Sequence, residues 1–350
     1  MSNQIKAVSI IGHFGFGKDL LNGQTIKTKI IAKELDVKLG LENVIKTDTH
    51  GGRNKLFELP AIIYNSLKKA KNVIILPAHN GLKIIAPLLL FENAFFKRKL
   101  HYVVIGGWLP QFLEKRKMLS MVLKKFDFIY VETHSMKSLL EEQGFNNIVV
   151  MPNCKELNIL SESELVYQTD KPYKLCTFSR VMKEKGIEDA VEAVKAVNRW
   201  YNDTIFSLDI YGQVDDNQTE WFNKLQKDFP EYIRYGGMVP FDKSTDVLKN
   251  YIALLFPTYY AGEGFAGTLI DAMAAGIPVV ASDWKYNSEI IKDGEVGAIY
   301  PTNDVEKLKN IIEAIYLDIE KWNLTKVKCL EEAEKYRPKT VCKIICDKII

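Results

Sequence analysis

Residues 257–282 read PTYYAGEGFAGTLIDAMAAGIPVVAS. Just before it, YIALLFPT, and at its end, IPVVAS, are short apolar runs without polar alternation, as expected of strands covered on both faces of a parallel sheet. Between them Gly262, Gly264 and Gly267 make a loop, and GTLIDAMAAG has helical spacing closed by Gly276. Strand, glycine loop, helix and strand form one βαβ unit. In such a unit the loop lies at the strand's carboxyl end, and the amides of Gly267, Thr268 and Leu269 at the helix start point at an anion. Two carboxylates flank them, Glu263 in the loop and Asp271 placed in the first helical turn.

Outward from this stretch the alternation repeats. YKLCTFS, IFSLDIYG, YIALLFPT, IPVVAS and GAIY read as strands of a second half. AVSII, NVIKTD, NVIILPA, HYVVIG, FDFIYVE and NIVVMP belong to a first half of about seven strands, with helical patterns between them. The polar segment between Pro152 and Lys174 is a linker. The reading is α/β: two Rossmann-like doubly wound domains, 1–165 and 166–336, facing a cleft, with an amphipathic tail helix at about 337–350 packed on the first. At 350 residues, 47% hydrophobic and 26% charged, the chain is long enough for two cores and matches no disordered or fibrous class. No apolar run reaches membrane-spanning length, the N-terminus has no export signal pattern, and five scattered cysteines fit buried thiols in a reducing cytoplasm.

Charge is uneven: the first 150 residues hold twenty-two Lys and Arg against twelve Asp and Glu. Lys97-Arg98-Lys99, Lys115-Arg116-Lys117 and Lys124-Lys125 are its clusters, and the apolar IIAPLLLFENAFF precedes the first. A peripheral anionic-membrane face is one reading; solvated lysines over an ordinary core of Leu88, Leu89, Leu90 and Phe91 is the other. No nucleic-acid motif accompanies the charge.

After the first strand, GHFGFGKD supplies Gly12, Gly15, Gly17 and Lys18. The phosphate-cradling pattern needs Ser or Thr next, and Asp19 stands there instead. The spacing also fails the dinucleotide fingerprint. A loop shaping an acceptor pocket, through His13, Gly15, Phe16 and Gly17, or a plain turn, remains. In the second half Arg180 follows a strand and Lys185 precedes a helix, so two cations converge on one crevice where helix starts and fixed charges can stabilise a departing diphosphate. No Asp-x-Asp is present to carry a divalent cation. Trp108, Tyr259 and Tyr260 can stack on a sugar or base, or simply pack. Glu289 can bond backbone near a nucleotide or cap a helix, and His50, His101 and His134 read as structural.

Arg180 with Lys185-Gly186, Tyr211-Gly212, Gly236-Gly237-Met238-Val239, Glu263-Gly264-Phe265, Asp271 to Gly276 and Glu289 before Asp293-Gly294 together resemble the glycosyltransferases of family 4, a retaining group with the GT-B fold. The resemblance covers roughly 174–317; the first half resembles the family only through the glycine-rich loop, His79, Ser135 and Asn153. It implies that Arg180 and Lys185 hold a donor diphosphate, Glu263 the transferred sugar, Asp271 the ribose, backbone at Gly264, Phe265, Thr268 and Leu269 the sugar and phosphate, and His79 the sugar. The family usually has Glu where this chain has Asp271, one methylene shorter. Residues and resemblance together describe a cytoplasmic, metal-independent hexosyltransferase without cofactor. Its donor would be a nucleotide sugar, UDP-linked rather than GDP-linked, and its acceptor a glycan or polyprenyl-linked saccharide of surface polysaccharide. Two alternatives stand: a nucleotide hydrolase using Gly12 to Lys18, and a non-catalytic nucleotide-sugar-binding module.

Overall fold

The computed structural model describes residues 5–17, 23–51 and 54–349. Along the chain the strands are β1 (Lys6–Gly12), β2 (Val44–Asp48), β3 (Ala70–Ile75), β4 (Lys99–Val103), β5 (Phe128–Val131), β6 (Ile148–Val150), β7 (Tyr173–Phe178), β8 (Phe206–Tyr211), β9 (Ile233–Gly237), β10 (Ala253–Phe256), β11 (Val279–Ser282) and β12 (Gly297–Tyr300). The helices are α1 (Gly23–Leu39), α2 (Asn54–Lys69), α3 (His79–Phe96), α4 (Leu109–Glu114), α5 (Lys117–Leu123), α6 (His134–Glu142), α7 (Ile187–Tyr201), α8 (Thr219–Lys227), α9 (Ser244–Leu248), α10 (Gly267–Ala274), α11 (Asn287–Ile290), α12 (Val305–Leu317), α13 (Ile319–Ala333) and α14 (Pro338–Ile349).

Two compact units result, 1–156 with 337–350, and 157–336. Each is built on a six-stranded parallel sheet, in the orders β2-β1-β3-β4-β5-β6 and β12-β11-β10-β7-β8-β9. Among the described residues the first sheet thus has six strands rather than about seven. The second gains β9, an edge strand whose IRYGG lacks the continuous apolar run of its neighbours. By contrast β10 and β11 are buried at every position, which is why ALLF and VVAS read so clearly as parallel strands. At Gly297 any side chain is excluded: a Cβ would stand 1.9 Å from the Val279 carbonyl oxygen of β11.

The segment read as a linker is not free chain. Its Leu160 N–H donates to the Ala274 carbonyl at 3.0 Å, and Leu160 and Leu165 pack with Leu330 of α13 in the second unit. The tail helix α14 lies against α1. Its Val341, Cys342, Ile345, Cys346 and Ile349 join Ile31 and Leu35 in the first unit's core. All five cysteines are buried and unbridged. His101 on β4 is fully buried, its ring nitrogens 3.0 Å from the Tyr130 hydroxyl and 3.1 Å from Asn72 Oδ1.

Truncating Ile345 to Ala leaves a cavity under α14, so a denaturant titration should show a loss of about 2–5 kcal/mol. Burial, with Lys99 adding to it, lowers the His101 pKa to about 4. The unfolded chain therefore takes up this proton below about pH 6.5 while the folded one does not. The contribution of this group to stability should fall by about 3 kcal/mol as pH drops from about 6.5 to about 4, and stay constant below that. A His101→Gln variant should lose that component of the pH profile.

Candidate active site

In the second sheet the winding reverses between β7 and β10, and open parallel sheets leave a ligand crevice at the carboxyl ends of such neighbours. After β7 the backbone is pinned to the next strand's exit: Ser179 N–H donates to the Tyr211 carbonyl at 3.1 Å and Val181 N–H to the Gln213 carbonyl at 2.8 Å. One helical turn, Lys183–Lys185, then ends on Gly186. Gly186 is left-handed, φ 69°, and a Cβ there would come within 2.1 Å of the Pro257 carbonyl oxygen. Only glycine lets the Lys185 turn close onto the loop after β10.

At that contact Lys185 Nζ donates to Glu263 Oε2 at 2.5 Å, with the side chains only 12% and 8% exposed. Thr258 lies beneath: its hydroxyl is 2.8 Å from the same carboxylate oxygen and 3.2 Å from the Glu184 carbonyl. Tyr259 N–H also donates to that carbonyl, at 2.8 Å. The Tyr260 and Phe256 rings stand 5.1 and 5.4 Å from the ammonium, close enough for cation–π attraction. The turn after β11 backs the loop, with Ser282 Oγ donating to the Thr258 carbonyl at 2.5 Å, Trp284 Nε1 to the Tyr260 carbonyl at 2.8 Å, and Lys285 Nζ to the Ala261 carbonyl. Burial pushes the Lys285 ammonium down in pKa, and the Glu263 charge opposes that shift.

Helix α10 opens beside this cluster. Its N-cap residue, Ala266, supplies no side-chain hydrogen bond, and among the described residues nothing lies within 4 Å of where a Gly267 Cβ would stand. The buried Thr268 hydroxyl has no hydrogen-bond partner among the described residues. An uncapped helix start with an unsatisfied hydroxyl is suited to an anion's oxygens. The Leu269 N–H does not belong to this set, because it donates to the Ala266 carbonyl at 3.1 Å. Asp271 is buried but is the fifth residue of α10, hence in the second turn rather than the first. Gly264 and Phe265 are buried, and the Phe265 ring packs edge-on against Tyr336 at 5.0 Å.

Of the expected residues, Lys185 and Glu263 meet directly. Arg180 does not join them: its guanidinium, 60% exposed, stands 3.6 Å from Asp215. The two cations thus hold separate carboxylates instead of converging. Sequence reasoning missed Thr258 and Lys285. A buried threonine after a strand and a lysine in a loop carry no signal until the fold brings them to Glu263.

In the first unit the reversal lies between β1 and β3, and their carboxyl ends carry the glycine-rich loop and His79. His79 starts α3 and stacks on Trp108 with centroids 3.9 Å apart. Partial burial, then Arg116 and Lys83, lower its pKa. His13 bonds Thr25 Oγ1 at 2.7 Å through Nδ1 and His50 at 2.9 Å through Nε2, so His50, read as structural, extends the same group. Phe16 is exposed and stacks on Phe14, and Gly15 and Gly17 both take positive φ. The loop's amides turn inward: Phe14 and Phe16 N–H each donate to the Asp48 carboxylate at 2.9 Å, as does His50 N–H. Partial burial raises the Asp48 pKa, but the amides of His50, Phe16, Phe14 and Gly15 outweigh it and hold the carboxyl below its ordinary value. A phosphate cradle built from these amides is therefore already filled by a side chain. Lys18 and Asp19 lie outside the described residues. Among the described residues no His, Cys, Asp and Glu cluster could hold a metal ion.

Residues 165–327 match the family model described as Glycosyl transferases group 1. Over 199 residues, 54% of this chain, the sequence is 30% identical to the GtfA subunit of a UDP-N-acetylglucosamine–peptide N-acetylglucosaminyltransferase of Streptococcus gordonii. The chain spans only 37% of that relative's length, and 35% and 41% of two other streptococcal counterparts. Among solved structures, Anabaena HepE in complex with UDP aligns over 99% of both chains with a TM-score of 0.74 and 13% identity. Sucrose-phosphate synthase from Thermosynechococcus elongatus aligns over 97% of both with a TM-score of 0.74 and 15% identity. These likenesses show the α/β fold with two Rossmann-like units, the GT-B architecture expected from the sequence.

Replacing Asp48 with Ala frees the glycine-rich loop's amides. Hydrogen exchange at Phe14, Phe16 and His50 should accelerate at least tenfold, while the β3 amides keep their protection.

Proposed function

We propose that this chain is a retaining, metal-independent hexosyltransferase of family 4. It moves a hexose from a UDP-sugar to a hydroxyl of a glycan or polyprenyl-linked saccharide in surface polysaccharide synthesis. The Lys185–Glu263 pair at the β7/β10 reversal carries this reading. A cation and an anion held together in a nearly buried site can each be redirected to one half of a donor: the ammonium to the diphosphate, the carboxylate to the sugar hydroxyls. The α10 start, with its open face at Gly267 and the Thr268 hydroxyl, takes phosphate oxygens. Asp271 takes the ribose, and Arg180, exposed on the same loop as Lys185, swings from Asp215 to the diphosphate. Negative charge that develops as the nucleoside diphosphate departs then meets Lys185, Arg180 and a helix start without a metal. The departing phosphate accepts the acceptor's proton on the same face of the sugar, so no carboxylate nucleophile is needed. His79 contacts the transferred sugar, and His13, Gly15, Phe16 and Gly17 contact the acceptor. The UDP-sugar named for the streptococcal relative and the UDP bound by HepE support the donor class.

The test is release of nucleoside diphosphate from a panel of nucleotide sugars with saccharide acceptors. Lys185→Ala should lower turnover about 100-fold or more, Lys18→Ala should leave it nearly intact, chelator should not inhibit, and the product's anomeric configuration by NMR should match the donor's. Binding of UDP by calorimetry with no turnover on any acceptor would mean a binding module instead. Nucleotide hydrolysis lost in Lys18→Ala and kept in Lys185→Ala would mean a phosphate-loop hydrolase.

A further inference from the structure

Helix α3 is apolar on two sides. Leu82, Ile85, Ala86 and Leu89 are buried inward. Ile84, Leu88, Phe91 and Phe95 recur at spacings of four, three and four, which places them on one other face. On that face Phe91 is 70% and Phe95 80% exposed, with their rings 6.5 Å apart, edge to face. Packing within the first unit therefore does not account for this stripe, and the core reading of the sequence holds only for the inward side. The neighbouring α5 repeats the pattern: Leu119 and Leu123 are buried, Met118 and Met121 exposed. An open recess of about 690 Å³ joins the two helices, bounded by Lys83 and Pro87 on one side and by Arg116, Lys117 and Met118 on the other.

Charge around this surface is predominantly positive. Between residues 79 and 125 the chain carries nine Lys and Arg against Glu92 and Glu114, of which Glu114 lines the recess. The Arg116 guanidinium lies 3.9 Å over the Phe112 ring, which fixes one cation at the rim. Exposed rings and methionines flanked by cations match the layering of an anionic bilayer: apolar groups enter the acyl boundary while ammonium and guanidinium groups meet headgroup phosphates. Single-stranded nucleic acid stacks its bases on aromatic platforms along a basic groove, whereas here the two exposed rings stand edge to face on each other and the remaining exposed apolar groups, Ile84, Met118 and Met121, are aliphatic or sulfur-bearing. Among the described residues no helix is long and apolar enough to cross a membrane, so the contact is with the surface. We propose that the outer face of α3 and α5 docks this chain on an anionic lipid bilayer.

Co-sedimentation of the full chain with phosphatidylcholine vesicles, with and without phosphatidylglycerol, tests this independently of any glycosyl transfer. The wild type should bind the phosphatidylglycerol vesicles, weaken at high salt, and leave pure phosphatidylcholine largely unbound. Each cation removed from the face should cost about fivefold in partitioning, so Lys115→Gln with Lys117→Gln should lose about 25-fold. Phe91→Ser with Phe95→Ser should lose at least tenfold. Both double variants should melt as the wild type does, because the replaced side chains are exposed. The proposal is overturned if the wild type ignores anionic vesicles or if both double variants partition undiminished. It is also overturned if duplex or single-stranded RNA strips the protein from vesicles at sub-stoichiometric amounts, or if the phenylalanine pair changes only self-association in sedimentation velocity.

Discussion

A lysine and a glutamate 78 residues apart in sequence meet at 2.5 Å in the second unit, and much of that unit's local geometry serves the meeting. The sheet must reverse its winding so that β7 and β10 become neighbours. The turn after β7 must end on a glycine that tolerates the Pro257 carbonyl at its side. A threonine hydroxyl must then donate to the Glu263 carboxylate to fix its direction. Burying one of these charges alone would be costly, so each makes the other tolerable.

The architecture was legible because parallel strands covered on both faces have few residue types to choose from. ALLF and VVAS left little else to be, and the Gly-flanked loop with its following helix marked the carboxyl end where ligands collect. The polar edge strand β9 was not, since only one of its edges pairs and its side chains are partly exposed. Lys185 and Glu263 could be picked from their places at strand exits, but not their pairing. Thr258, Lys285 and the buried Lys27–Glu132 ion pair, 2.6 Å long in the first unit, arise from tertiary closure. Nothing in TIKTKIIAKEL separates Lys27 from the solvated lysines beside it.

The glycine-rich loop shows how one spacing serves opposite ends. Glycines let successive amides turn to one side, and the resulting concavity holds whatever anion is nearest. In a phosphate loop that anion is a ligand; here it is Asp48, supplied by the neighbouring strand β2. The sequence shows the glycines and the missing hydroxyl, while the carboxylate that takes the phosphate's place comes from 34 residues away. With its amides satisfied internally, the loop presents instead the exposed Phe16 ring and the imidazole pair of His13 and His50.

The chain passes from the first unit to the second after residue 156 and returns after 336, and the returning helix completes the core around Ile31 and Leu35. During synthesis on the ribosome the amino-terminal unit therefore waits, one helix short, until everything between has been made. The unit begun later has all its residues first. Vectorial translation thus favours maturation of the carboxyl-terminal fold ahead of the amino-terminal one, inverting the usual order of domains along a nascent polypeptide.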